Sequence, residues 1–86
     1  MRLFTYTLSS GSLQINATDG VLALTVQANS SSACQFLGNI PFKGFNPNSI
    51  LIENGDSFTQ TTTANSPLDG ITITWVSGTI DILISI

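Results

Sequence analysis

The chain has 86 residues, five acidic and two basic side chains, no histidine and a single cysteine. That length makes one small domain, and those counts exclude an intrachain disulfide, a histidine general base and a cysteine cluster at zinc-ligand spacing. A net charge of −3, with Arg2 and Lys43 the only cations, argues against nucleic acid, whose phosphates need several Lys or Arg, and against an anionic membrane surface.

Charged residues are 8% of the chain, against about 25% in an average domain. The polar surface is therefore built from Ser, Thr, Asn and Gln, which lose less solvation than charges when water is removed. Interface cores are depleted in charge for the same reason. A chain of this size buries only roughly 60–65% of its unfolded surface. With no disulfide or metal to add, oligomerisation or docking on a larger surface is the remaining source of stability.

In chain order, Met1 to Thr7 lacks the apolar core of a signal peptide, and no apolar run approaches the ~18–20 residues of a membrane span. The expectation is synthesis in a cytoplasm without export by the usual route, compatible with a free Cys34. Helix formers are sparse, while Val, Ile, Thr and Phe dominate. Turn signals recur at Ser9-Ser10-Gly11, Asp19-Gly20, Asn29 to Ser32, Gly38-Asn39, Asn46-Pro47-Asn48, Asn54-Gly55-Asp56, Ser66 to Gly70 and Ser77-Gly78. Between them the pattern predicts strands at 3–8, 12–17, 21–28, 33–37, 40–42, 49–53, 57–63, 71–76 and 79–86.

Residues 21–28 are apolar on both sides. Leu22, Leu24, Val26 and Ala28 share one face, and Val21 and Ala23 share the other with Thr25 and Gln27. Strands buried on both faces read this way, which makes Val21 and Ala23 candidate contacts with another chain; small side chains resting on the surface are the alternative. In Ile40-Pro41-Phe42-Lys43-Gly44-Phe45, two nearby prolines and a glycine indicate a loop or a broken edge strand. Phe42 and Phe45 there form either a docking knob or a cap on the end of the core.

Glu53-Asn54-Gly55-Asp56-Ser57 groups several oxygens but lacks the ligand ladder of a calcium loop. Asn-Gly between strands reads instead as a hairpin. In the closing segment Ile71, Ile73 and Trp75 share a face, then Ile80, Ile82, Ile84 and Ile86 share another. Ser77-Gly78 between them predicts a second antiparallel hairpin. Trp75 belongs with the isoleucines in a core rather than on an exposed sugar platform.

Enzyme chemistry finds little support. No base accompanies the many serines and threonines, and the acids Asp19, Asp56, Asp69, Asp81 and Glu53 fall at turns, strand ends or outward positions. Asn16-Ala17-Thr18 and Asn29-Ser30-Ser31 match the glycosylation pattern, but without a signal peptide they read as polar turns.

The segment Leu22 to Ala28, the IPFKGF stretch, the Ile50 to Ser57 turn region and the closing LDGITITWVSGTIDILI together resemble small β-domain proteins of tailed-bacteriophage particles. The resemblance spans roughly residues 20–86. It implies a capsid decoration or cement subunit, or a small tail component, with no catalytic residues to carry over.

The expectations are therefore these. Residues 1–86 form one antiparallel β-sandwich or jelly-roll-like barrel, not an enzyme and without a cofactor. The chain is a homo-oligomer in a virion, meeting the major capsid protein or other virion proteins through Val21, Ala23, Phe42 and Phe45. A receptor- or glycan-binding module of a tail or fibre is the alternative.

Overall fold

A computed structural model describes residues 2–38, 49–62 and 65–86. The expected strand at 40–42, and with it Phe42 and Phe45, lies outside the described residues. Among the described residues there are eight strands: β1 (Leu3–Leu8), β2 (Ser12–Ile15), β3 (Ala23–Ala28), β4 (Ala33–Leu37), β5 (Ser49–Glu53), β6 (Ser57–Thr61), β7 (Ile71–Ser77) and β8 (Ile80–Ser85). Residues 16 and 17, expected to extend β2, instead enter a short 3-10 turn over Ala17–Asp19. The Asp19 carboxylate accepts the Asn16 N–H at 2.8 Å there, and Asp69 accepts the Ala17 N–H at 3.0 Å.

The strands form two four-stranded sheets, β1-β8-β3-β6 and β2-β7-β4-β5, in which every pairing is antiparallel. The pairs β1–β8, β2–β7, β3–β6 and β4–β5 nest inside one another, as in one long hairpin rolled up. The β3–β8 and β4–β7 pairs complete the sheets. This is the eight-strand jelly-roll arrangement, one form of the expected antiparallel sandwich. The molecule is only 19 Å across its short axis, as two sheets about 10 Å apart require.

Both expected hairpins are corrected by this topology. Ser77-Gly78 joins β7 to β8, and Asn54-Gly55 joins β5 to β6, yet each turn carries the chain from one sheet to the other. The turn chemistry was legible: Asn54, Gly55 and Gly78 all have positive φ, at 55°, 90° and 71°. Such residues permit a sharp reversal, but they do not select the partner strand.

Alternation along each strand sends one set of side chains between the sheets. Leu24, Val26 and Ala28 of β3 meet Ile80, Ile82 and Ile84 of β8 on the first inner face. Ile71 and Ile73 of β7, with Cys34 and Phe36 of β4, supply the second. The fully buried Phe36 ring reaches the other sheet, 4.8 Å from the Phe58 ring. Trp75 packs against this core from its margin and donates its indole N–H to the Gly78 carbonyl at 2.8 Å. The register slips between Ala33 and Cys34, which pair with Ser77 and Trp75, so Val76 bulges outward and is exposed.

Candidate functional site

The outward face of the first sheet is a continuous surface built by four regular strands. Its side chains fall in three rows across β1, β8, β3 and β6: Leu3-Ser85-Ala23-Thr61, Thr5-Leu83-Thr25-Thr59 and Thr7-Asp81-Gln27-Ser57. Asp81 is the single charged group among them. Its carboxylate is already engaged, accepting from the Thr7 hydroxyl at 3.2 Å and the Asn29 amide at 3.0 Å. Thr25 and Thr59 share a cross-strand hydroxyl bond of 3.0 Å, a pairing that fixes their rotamers. Shallow hollows lie on either side of Leu83.

Ala23, expected as an interface residue, stands half-buried on this face beside Leu3 and Ser85. Val21 does not. At 2% exposure it belongs to the chain's own core, which corrects its assignment as a contact with another chain. Regular alternation put Val21 on the outer side, but β3 begins only at Ala23. Before that point the chain turns inward, where Val21 receives the Leu68 N–H at its carbonyl, 2.9 Å away. Sequence reasoning also passed over Leu3 and Leu83. Their signal was present: each is an apolar residue at an outward position of an alternating strand.

A second feature opens between the sheets where β1 faces β2. This cleft of about 240 Å³ has Ile15, Val21 and Ile84 at its base, with Phe4, Tyr6, Gln14, Asp19 and Ile86 around it. Tyr6 is 51% exposed, and Arg2 lies over the Phe4 ring, 5.4 Å from its centroid. Ile86, expected to pack either in the core with Ile80, Ile82 and Ile84 or against a neighbour, is 42% exposed at this cleft. Its backbone exchanges hydrogen bonds with Arg2 in both directions, at 3.0 and 2.9 Å, so β1 and β8 stay paired at that end.

Chemistry beyond binding has few groups to draw on. Cys34 is a fully buried free thiol, and burial away from water pushes its pKa up, which makes it a poor nucleophile. The buried Ser32 hydroxyl accepts the Thr79 N–H at 2.8 Å and lies 3.4 Å from the Ser30 carbonyl, which locks a corner of the fold. Comparison with protein families, curated proteins and solved structures finds no match to this chain.

Proposed function

We propose that this chain is a structural virion protein, a decoration or cement subunit that binds an assembled phage shell. The observation that carries this reading is the nearly uncharged outward face of the first sheet. It presents Leu3, Ala23 and Leu83 among threonines and serines on four hydrogen-bonded strands. Such a face loses little solvation when covered, and its rigidity leaves little backbone entropy to lose on docking. The jelly-roll arrangement adds support by analogy alone, since viral shells use it and so do lectins. The resemblance of residues 20–86 to small phage β-domains points the same way.

In this reading the major capsid protein or another virion protein is the receiving partner, and no cofactor takes part. The test is the copy number of the chain in purified particles, by quantitative mass spectrometry. A number close to that of the major shell protein is expected for a decoration subunit. A handful per particle would move the chain to a tail or vertex, and absence from clean particles would refute the reading.

The cleft favours a second reading, a glycan-binding module of a tail or fibre. Phe4 and Tyr6 offer aromatic faces for a sugar ring, and Gln14 and Asp19 offer hydrogen-bonding groups nearby. Chemical-shift changes confined to these residues on adding oligosaccharides would support it.

A further inference from the structure

The two edges of the first sheet differ in a way that marks one of them for pairing. In β1 the mutual bonds between Arg2 and Ile86 set the phase of the ladder. Antiparallel pairs alternate, so Phe4, Tyr6 and Leu8 bond inward to β8. The N–H and C=O groups of Leu3, Thr5 and Thr7 then point away from the sheet. Proteins ordinarily guard such an edge with charge, proline or a bulge. The segment Leu3–Leu8, LFTYTL, has none of these, and the single charge beside it, Arg2, lies before the strand begins with its guanidinium over the Phe4 ring. It also leaves apolar surface uncovered on both sides of the edge: Leu3 is 61% exposed on the outer face and Tyr6 is 51% exposed on the inner.

The opposite edge, β6, is different. Bonds from Thr62 to Leu22 and from Ala28 to Asp56 give its phase, and Ser57, Thr59 and Thr61 face outward. Their hydroxyl side chains lose nothing by staying wet. Asp56 and the nearby Glu53 place charge at its start, the kind of guard that keeps an edge in water.

We infer that β1 is a self-pairing edge, joining a second copy of this chain antiparallel about a two-fold axis through Thr5. This deepens the proposal of an assembling subunit and rests on it. The register follows from the phase of the ladder: Thr5 faces its own symmetry mate, and Leu3 faces Thr7. All three outward residues are then used, giving about six intermolecular backbone bonds at two per bonded pair. On the inner side Phe4 comes opposite Tyr6, so four aromatic rings gather at the mouths of the two clefts.

No charged side chain of the first sheet lies in the two strands that meet. Each Asp81 sits one strand back, on β8, held by Thr7 and Asn29. The product is one continuous eight-stranded sheet whose outward rows run through both copies.

The contact area sets its strength. Two six-residue strands side by side run about 20 Å together. They cover roughly a third of the ~800 Å² per partner that a stable complex buries. The pairing is therefore weak between free molecules and accumulates where copies are held close together, as on a particle.

The experiment is sedimentation equilibrium of the purified chain from roughly micromolar to millimolar concentration, combined with amide exchange by NMR. We expect a reversible rise toward the dimer mass, with protection gained at the amides of Leu3, Thr5 and Thr7 and not at Thr59 and Thr61. Thr5→Pro removes the donor at the axis, and edge positions whose N–H faces solvent tolerate proline. It should weaken association about tenfold or more, as losing two backbone bonds requires. Thr59→Pro, its counterpart on β6, should leave association unchanged.

Should Thr5→Pro disturb the fold, Thr5→Lys decides the matter by setting two ammonium groups opposite each other at the axis. A strictly monomeric chain throughout the range, or an association lost in Thr59→Pro and kept in the Thr5 variants, would overturn the inference. Particles take no part in this measurement. A failed edge therefore leaves the copy-number result standing, and a failed copy number leaves the edge.

Discussion

Replacing Gly78 with alanine is a sharp test of how the two sheets are joined. Gly78 has a φ of 71° and lies at the step from β7 to β8. A Cβ there would sit 2.7 Å from the Ser32 Cβ and 2.8 Å from the Ser32 Cα, and would run into the Ser32 hydroxyl. Two costs combine. The left-handed backbone costs an L-residue about 1–2 kcal/mol. Displacing the buried Ser32 also breaks its bond to the Thr79 N–H, worth about 1–3 kcal/mol once that donor is stranded.

The expected loss is therefore about 2–5 kcal/mol, a large share of the roughly 4–13 kcal/mol available to a domain of this length. Gly11→Ala is the matched control. Its φ is 72°, yet nothing lies within 4 Å of its added Cβ, so only the backbone cost of about 1–2 kcal/mol applies. Urea titrations of both variants by tryptophan fluorescence, analysed by linear extrapolation, measure the difference. Equal losses in the two variants would refute the close approach of Gly78 to Ser32.

Two further outcomes follow from the core. Phe36→Ala removes the buried ring that meets Phe58 across the sheets and should cost about 3–5 kcal/mol, lowering Tm by more than 10 °C on the ~4–8 °C per kcal/mol usual at this size. A variant within a few degrees of the native protein in a thermal melt would contradict that packing. Burial raises the Cys34 thiol pKa in the folded state, so the unfolded chain loses its thiol proton first as pH rises. The thiol's contribution to stability should be constant below the unfolded value of about 8.5 and fall as pH climbs toward the folded value. Urea midpoints at pH 7 and 10 test this, and Cys34→Ala should remove the part of the slope that belongs to the thiol.

The strand positions were largely legible, because alternation is a local property. Ile71 and Ile73, and Ile80, Ile82 and Ile84, all take the inward places that their spacing assigns. Pairing was not legible, because it depends on residues far away. Ser77-Gly78 and Asn54-Gly55 have the backbone of tight reversals, but their flanking strands find partners in opposite sheets.

Alternation also fails at its ends. Val21 lies two residues before β3 and leaves the face that periodicity assigned, while Ile86, one residue past β8, keeps the inner side yet stands exposed at the cleft. Of the two expected contact residues among those described, Ala23 stands on the outer face of the first sheet and Val21 does not. Leu3 and Leu83 carried a signal in the alternation of their own strands, but that they share one surface with Ala23 became visible only once the strands were placed side by side. Which main-chain groups lie on an unpaired edge is settled by sheet order, and no single strand contains that information.

The nested pairing also governs how the protein can be made. β8 lies between β1 and β3, and β7 lies between β2 and β4, so the last two strands to be synthesised occupy the middle of their sheets. While they remain in the ribosome, β1 and β2 have no partner, and the β3–β6 and β4–β5 pairs lack the strands that complete their sheets. Native structure must therefore form late and from distant contacts, a topology whose folding runs in milliseconds to seconds rather than microseconds. Through that interval the uncharged Leu3–Leu8 segment is the first of these eight strands to emerge and among the last of them to be covered.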